Sequence, residues 1–359
     1  MNNIKKIIII FLYSLILLEF ISFSAYKLNL LEISHKPNIY MPNDFIPIHN
    51  WWTEENKWGP WHKINSKTTQ KKSCYDVIYE SNEFGARDKK FNLSSPNNII
   101  LIGDSFAEGY GVNYNNMSQK YIEDLTNYNI LNFGVSKNFG PVQYHIIYDE
   151  LAKNFKHNKV LIYFLPNNDF SDNDYSNWQG SKRYRPYYNK IDANKYNTFI
   201  PNDSIKNYSS LTKKIKRKFS NYFWSSNLFI NLNYQYKVYR SSKKIKNNEF
   251  SAYFNTNNEQ QKAAIHFIDK IINTSKVEVI LVSIPRLNDF KIYENNKIIN
   301  NTYWNNYYVN KALINKNFKF IDLLKFKPTN INEIYLSCDG HWSPEGNLWA
   351  AKVISKFLD

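Results

Sequence analysis

The chain is short of acidic residues and of cysteine, and several large functional classes leave no mark on it. Against 46 Lys and Arg stand 31 Asp and Glu, giving a formal net charge of +15 over 359 residues. An excess of that sign attracts anionic material such as membrane phosphates or acidic polysaccharide. Nucleic acid is not an expected partner, because no helix-turn-helix, zinc-finger or RNA-binding signature is present and the export segment described next parts the chain from it. No metal-ligand cluster and no phosphate-binding loop occurs, so no metal and no cofactor is expected. No internal repeat is visible. The only two cysteines, Cys74 and Cys338, suit one disulfide in an exported chain; the alternative is a pair of unrelated buried thiols.

What the sequence does have begins at its N-terminus. In "MNNIKKIIIIFLYSLILLEFISFSAYK", Lys5 and Lys6 precede an apolar stretch from Ile7 to Phe23 that only Ser14, Glu19 and Ser22 interrupt. At a rise of about 1.5 Å per residue, these roughly 17 residues reach about 25 Å, near the lower limit for spanning a bilayer. One reading is an uncleaved anchor with the lysines inside; the other is a signal peptide with an apolar core from Ile7 to Leu18, cut near Ser22-Phe23-Ser24. Glu19 and the small residues favour cleavage, the total apolar length favours an anchor. Both place the rest of the chain outside the cytoplasm, membrane-anchored or, if cut, secreted.

Residues 26–96 form an aromatic-rich extension, where "NWWTEENKWGPWHK" holds Trp51, Trp52, Trp58 and Trp61. Such a group can stack on sugar rings, but a small satellite core packed on the main domain is the reading favoured here. From Asn97 a βα alternation sets in. "NIILI" ends in Gly103-Asp104-Ser105, a helical pattern spans Met117 to Thr126, and "NILNFGV" and "KVLIYFLPNND" read as second and third strands, with a helix opened by Pro141 between them. The alternation lapses over residues 170–258, too long for a simple loop and therefore read as an insertion with helices of its own. Within it "LTKKIKRKFSNYFW", Leu211 to Trp224, mixes cations with bulky apolar residues and suits a membrane surface, a polyanion, or a solvated face. A helix near Glu259 to Thr274, the strand "VEVILVSI", a helix around Asn305 to Asn315, the strand "FKFIDLL" and a helix after Pro344 complete the pattern. The fold class is α/β, with five parallel strands covered on both faces. The chain then divides into the membrane segment 1–25, the extension 26–96, and a main domain 97–359 carrying the insertion.

The continuous apolar run Ile99 to Ile102 suits a strand buried on both faces, and it leaves Ser105 at the strand's C-terminal tip, where open parallel sheets bind ligands. A serine hydroxyl is a weak nucleophile at neutral pH and needs a base within hydrogen-bond reach, itself held by a third group. "SCDGHWSPEGN" supplies both, as His341 and Asp339 in a turn just before the last helix. An oxyanion formed at an attacked carbonyl needs donors as well. The candidates are the Ser105 N–H, the Gly134 N–H after the second strand, and the side-chain amide of Asn168 after the third.

With "GDSF", "NFGV", "PNND" and "DGHW" in that order, the chain resembles the SGNH hydrolases, the GDSL esterase and lipase superfamily, over roughly residues 82–359 apart from the insertion. The lead-in "NEFGARD" is similar to that of membrane-anchored members. The resemblance implies a three-layer α/β/α, flavodoxin-like sandwich and catalysis at ester bonds. Two departures stand out: Pro166 and Asn167 precede Asn168 where Gly-x-Asn-Asp is usual, and Asp339 lies two rather than three residues before His341, with Cys338 in the usual place of the acid. An α/β-hydrolase is excluded because Ser105 is not in Gly-x-Ser-x-Gly.

The expected activity is hydrolysis of acyl esters, acetyl foremost, on an envelope or extracellular glycan. Transfer of the acyl group to a sugar hydroxyl uses the same residues and would require a membrane-embedded acyl donor partner. A catalytically silent glycan-binding scaffold is the third alternative.

Overall fold

The computed structural model describes residues 2–28, 30, 37, 40–72, 74–178, 183–204, 211–244, 251–296 and 302–358. In chain order the helices are α1 (Asn2–Lys27), α2 (Ser105–Glu108), α3 (Ser118–Leu125), α4 (Pro141–Glu150), α5 (Pro166–Asp172), α6 (Leu211–Ser220), α7 (Trp224–Lys244), α8 (Asn258–Thr274), α9 (Leu287–Asn296), α10 (Tyr303–Ile314) and α11 (Pro344–Ser355). The strands are β1 (Trp52–Asn56), β2 (Gly59–His62), β3 (Lys67–Lys72), β4 (Tyr75–Glu80), β5 (Asn98–Ile102), β6 (Asn129–Asn132), β7 (Lys159–Phe164), β8 (Tyr187–Asp192), β9 (Lys195–Phe199), β10 (Glu278–Ser283) and β11 (Phe318–Asp322).

The chain falls into two compact units, 1–51 with 66–78 and 209–248, and 52–65 with 79–208 and 249–359. A part of the extension and a part of the insertion fall with the N-terminal helix in the smaller unit, and the rest of each belongs to the larger one.

The larger unit is built on a five-stranded sheet in the order β11-β10-β7-β5-β6, with every pairing parallel. Leu101 of β5 pairs with Asn132 on one side and Leu161 on the other, and Ile280 of β10 pairs with Leu161 and Lys319. Ile99, Ile100, Leu101 and Ile102 are each 0% exposed, so both faces of the central strand are covered, as its unbroken apolar run requires. The chain moves outward from β5 to β6 and then returns past β5 to β7, β10 and β11. Right-handed crossovers therefore place α3 on one face and α4, α8 and α10 on the other. The helix contacts agree, with α3 on α11, and α8 on α4, α5 and α10. That reversal of direction between β5 and β7 is where open sheets of this kind form their binding crevice.

Trp58 and Trp61 are buried in the main core, and Trp51 is 0% exposed. Trp52 is partly buried and packs against the same core, and Trp51, Trp58 and Trp61 are not exposed for stacking on a sugar ring. The insertion contributes the β8–β9 hairpin to the larger unit, where Tyr196 packs with Val142 of α4 and Ala263 and Phe267 of α8. Both cysteines, Cys74 and Cys338, are disulfide-bonded.

The last helix starts under a severe spatial constraint. Ser343 caps it by accepting the Gly346 N–H at 3.1 Å, and a Cβ at Gly346 would lie 2.0 Å from the Ile334 carbonyl oxygen, whereas a Cβ at Gly340 would meet nothing within 4 Å. Gly346→Ala must therefore push α11 off the turn that carries His341. We expect thermal unfolding of Gly346→Ala to show a loss of about 2 kcal/mol or more, with Gly340→Ala staying within about 0.5 kcal/mol of wild type.

Candidate active site

Strand β5 delivers Ser105, the expected nucleophile. After Ile102 the chain turns through Gly103, where a Cβ would come within 2.8 Å of the Ala107 Cβ and 2.9 Å of the Tyr163 Cβ. Asp104 caps the short helix α2, its carboxylate accepting the Phe106 N–H at 2.9 Å. Ser105 is the first residue of that helix, so its own N–H lies in a turn where the helix supplies no acceptor. Gly109 ends α2 in the left-handed region, with φ of 76°.

The expected base, His341, comes from the other end of the chain. His341 Nε2 lies 2.7 Å from Ser105 Oγ, and its Nδ1 is hydrogen-bonded to the Asp339 carboxylate. Asp339 also accepts the His341 backbone N–H at 3.2 Å, so the acid is reached by a tight local turn despite the shortened spacing. Leu336 N–H donates to the His341 carbonyl at 2.9 Å, and Ser343 N–H to that of Ile334 at 3.0 Å. These bonds close the loop like a small hairpin. Two rings pack against the imidazole, with centroids 4.4 Å away for Tyr110 and 5.0 Å for Phe106, and Trp342 packs edge-on against Phe106. Such packing restricts the ring's freedom to swing away from Ser105.

The two other oxyanion candidates reach the same edge, but in this structure their hydrogens are engaged. The Gly134 N–H donates to Asn132 Oδ1 at 2.7 Å. A Cβ at Gly134 would lie 2.5 Å from the Glu108 nitrogen, so the glycine is needed for the close approach of α2. The Asn168 amide donates to Asp172 at 2.9 Å and to Asp104 at 3.3 Å, while its Oδ1 is buried without a partner. Asn168 sits in the first turn of α5 rather than in an irregular loop: Pro166, which suits the first position of a helix, starts that helix where the sequence reading had the chain turn.

Behind Asn168 lies a buried acidic floor. Burial pushes Asp104 up to about 6, against the lowering effects of the Phe106 N–H, His341 and Asn168. Asp172 is likewise pushed up to about 6 by burial, partly offset by Arg185 and Asn168. Burial, with Asp104 and Asp172 nearby, holds Asp169 well above the usual carboxylate range; it accepts from the Tyr144 hydroxyl at 2.9 Å and the Leu165 N–H at 2.8 Å. Arg185, fully buried at the entry to β8, donates to the Asp172 carbonyl at 2.6 Å and to Gln143 at 3.0 Å.

Several supporting residues were not singled out from the sequence. Asn132 donates to the Ala107 carbonyl at 2.7 Å, and its N–H donates to Asp88 at 3.1 Å. Arg87 spans the turn after α2, donating to the carbonyls of Glu108 at 2.7 Å and of Val112 at 2.5 Å, with its guanidinium 3.5 Å above the Tyr79 ring. His62 Nε2 stands 3.3 Å from Glu108 Oε1 in a fully buried pair. Burial opposes ionisation of Glu108, but His62, Arg87 and Ser136 outweigh it and hold its carboxyl below the ordinary value. The "NEFGARD" stretch, Asn82 to Asp88, carried the one signal: Asn82 Oδ1 accepts from Phe84 and Ala86, each at 3.0 Å, which sets the turn that aims Arg87 and Asp88. Among the described residues no group of three or more His, Cys, Asp or Glu is arranged to hold a metal ion.

No protein-family model matches the chain, and no curated protein matches it in sequence. Solved structures do. It is similar to a member of the lipolytic protein G-D-S-L family from Veillonella parvula at 15% identity, over 72% of this chain and 97% of that one, with a TM-score of 0.35. It is similar to the lipase Lip_vut3 from a goat rumen metagenome at 12% identity, over 72% and 96%, with a TM-score of 0.37. It is also similar to a carbohydrate esterase family 2 enzyme with a carbohydrate-binding domain from Corynascus thermopiles (Myceliophthora fergusii) at 12% identity, over 73% and 65%, with a TM-score of 0.38.

Two outcomes are expected. Asp339→Asn leaves a partner at Nδ1 but of the wrong polarity, and single-turnover acylation by an activated ester should fall by roughly 10⁴-fold with little change in the thermal midpoint. The second concerns Asp172. Its raised pKa means that the folded state binds more protons than the unfolded chain between about pH 4 and 6, so this group costs stability as pH rises through that window. Asp172→Asn removes that cost, so the variant's melting temperature should gain on wild type as the pH is raised from about 4 to 7.

Proposed function

We propose that this chain is an SGNH-type serine esterase, anchored to a membrane by α1, that removes acyl groups, acetyl foremost, from ester positions of an envelope or extracellular glycan. The observation that carries the proposal is the 2.7 Å bond between Ser105 Oγ and His341 Nε2, in line with the bond from Nδ1 to Asp339. Nothing in that relay has a structural task that a plainer set of residues would not meet.

In the proposed reaction His341 Nε2 takes the Ser105 hydroxyl proton as Oγ bonds to the ester carbonyl carbon. Asp339 holds the imidazole in the tautomer that leaves Nε2 free to accept, and it stabilises the imidazolium once formed. The oxyanion meets the Ser105 N–H first. Asn168 adds a second donor by giving up its longer bond, the 3.3 Å one to Asp104, while keeping that to Asp172. The Gly134 N–H would have to be shared with Asn132. Such rearrangement on substrate binding is ordinary, since catalytic hydrogen bonds in empty sites are often aimed elsewhere. Collapse of the intermediate breaks the ester C–O bond, and His341 returns the proton to the departing alcohol. In the second half His341 Nε2 deprotonates water as its oxygen attacks the acyl carbon; collapse breaks the C–Oγ bond, and His341 returns the proton to Ser105 Oγ, releasing the acid.

The anchor proposal is supported by α1, whose most apolar 18-residue stretch has a mean hydropathy of 2.4 and is 6% buried. The basic surface favours an anionic setting of the kind a cell envelope provides.

Acetate release from an O-acetylated oligosaccharide, followed by wild type and Ser105→Ala, tests the proposal. We expect the variant to fall by at least about 10³-fold. Equal acetate release by both would contradict it, and acyl transfer to an added sugar in place of water would replace the hydrolytic reading with the transferase one.

A further inference from the structure

Glu19 is the one acidic residue within the apolar run of α1, and the structure gives it a specific task. Its carboxylate accepts the backbone N–H groups of Trp224 at 2.9 Å and Ser225 at 3.1 Å, and the Ser225 hydroxyl. Those are the first two residues of α7, so Glu19 supplies, from another helix, the cap that α7 needs at its positive end. The contact continues in apolar form. Phe23 and Tyr26 of α1 lie 5.6 Å and 4.5 Å from the Trp224 ring, and Tyr26, Trp224 and Leu228 form a buried cluster. A cut near Ser22-Phe23-Ser24 would remove the Glu19 cap and the helix that leads into Tyr26. Ser22 is buried within the continuous helix.

The depth of this contact has a consequence. From Ile7 to Phe23 the helix rises about 25 Å, and Glu19 lies about 6 Å short of Phe23. Whatever caps onto Glu19 must then reach the boundary between headgroups and acyl chains. The segment that does so is built for that layer. Leu211, Ile215 and Phe219 recur every four residues along one face of α6 and are 73%, 48% and 54% exposed. Between and beside them stand the cations Lys214, Lys216, Arg217 and Lys218. An apolar groove of about 1090 Å³ runs between Leu15, Ile16 and Leu18 of the anchor and Phe219, Phe223 and Phe229 of the insertion. Beside a helix this apolar, the environment that fills such a groove is lipid.

We propose that the anchor is retained, and that α6 and the start of α7, latched to it through Glu19, lie in the headgroup layer of an anionic bilayer at the C-terminal end of α1. Apolar residues enter the acyl boundary while the cations pair with lipid phosphates. The proposal rests on the anchor reading of α1 and is independent of the chemistry of Ser105.

The test uses the full chain in nanodiscs. Since both native cysteines are disulfide-bonded, Phe219→Cys can carry a single environment-sensitive fluorophore. In discs containing phosphatidylglycerol we expect quenching by a shallow spin-labelled lipid to exceed that by a deep one by about twofold or more. Adding Lys214→Glu, Lys216→Glu, Arg217→Glu and Lys218→Glu should at least halve that quenching, and Glu19→Ala should lower it as well. Intact mass of membrane-extracted protein should show an N-terminus before Glu19. An N-terminus beyond Glu19 overturns both the anchor and this inference. A retained N-terminus with an unquenched, water-exposed label, or with quenching that charge reversal leaves unchanged, overturns the inference and leaves the anchor standing.

Discussion

One hydrogen bond organises the larger unit: Ser105 Oγ to His341 Nε2, closed between residues 236 positions apart. It forms only if the tip of β5 and the turn before α11 arrive at one edge of the sheet within a few tenths of an ångström. Much of the surrounding architecture serves that registration. Gly103 and Gly134 lack the Cβ atoms that would hold α2 away from β7 and β6. Gly346 does the same for α11 beneath the His341 turn, while Arg87 ties down the carbonyls that follow α2. Tyr110 and Phe106 grip the imidazole itself. The parallel sheet contributes stiffness, because its central strands are covered on both faces and cannot shift without opening the core.

The same site carries a cost. Asp104, Asp169 and Asp172 are gathered behind Asn168 in a region that water does not reach, and burial raises all three above the ordinary carboxylate range. A fold selected for stability alone would not place three acids there. Their use is positional: Asp172 and Asp104 aim the Asn168 amide, Asp169 ties α5 to the Leu165 N–H and Tyr144, and Asp104 caps α2. Arg185, brought in from the insertion, balances part of this charge. The insertion is thus joined to the site's foundation through Arg185 and the β8–β9 hairpin.

The five strands were legible because a strand buried on both faces has to be apolar without interruption, and "NIILI", "KVLIYF" and "EVILVS" are so at little ambiguity. The meeting of Ser105, His341 and Asp339 was legible because each stands in a short motif at a strand or helix end. Asn132 and Arg87 were not, since their roles depend on backbone carbonyls and N–H groups that lie close only after folding. Helix α5 was hidden by Pro166, which reads as a breaker after an apolar run yet opens a helix when it stands at the first position. The division into units was hidden for another reason: residues 1–51, 66–78 and 209–248 are distant in sequence, and no local pattern records that they pack together. Glu19 illustrates the same limit, since a lone acid in an apolar run argues for cleavage until the helix it caps is seen.

The account's central claim is that Ser105 is an activated nucleophile because His341 and Asp339 make it one. Labelling of the folded protein with a fluorophosphonate probe addresses this directly, since the probe bonds only to a serine whose proton is being taken. Wild type should label at Ser105, and both Ser105→Ala and His341→Ala should fail to label while remaining folded. A demonstrably folded wild type that does not label, or a His341→Ala variant that labels as fast as wild type, would contradict the claim.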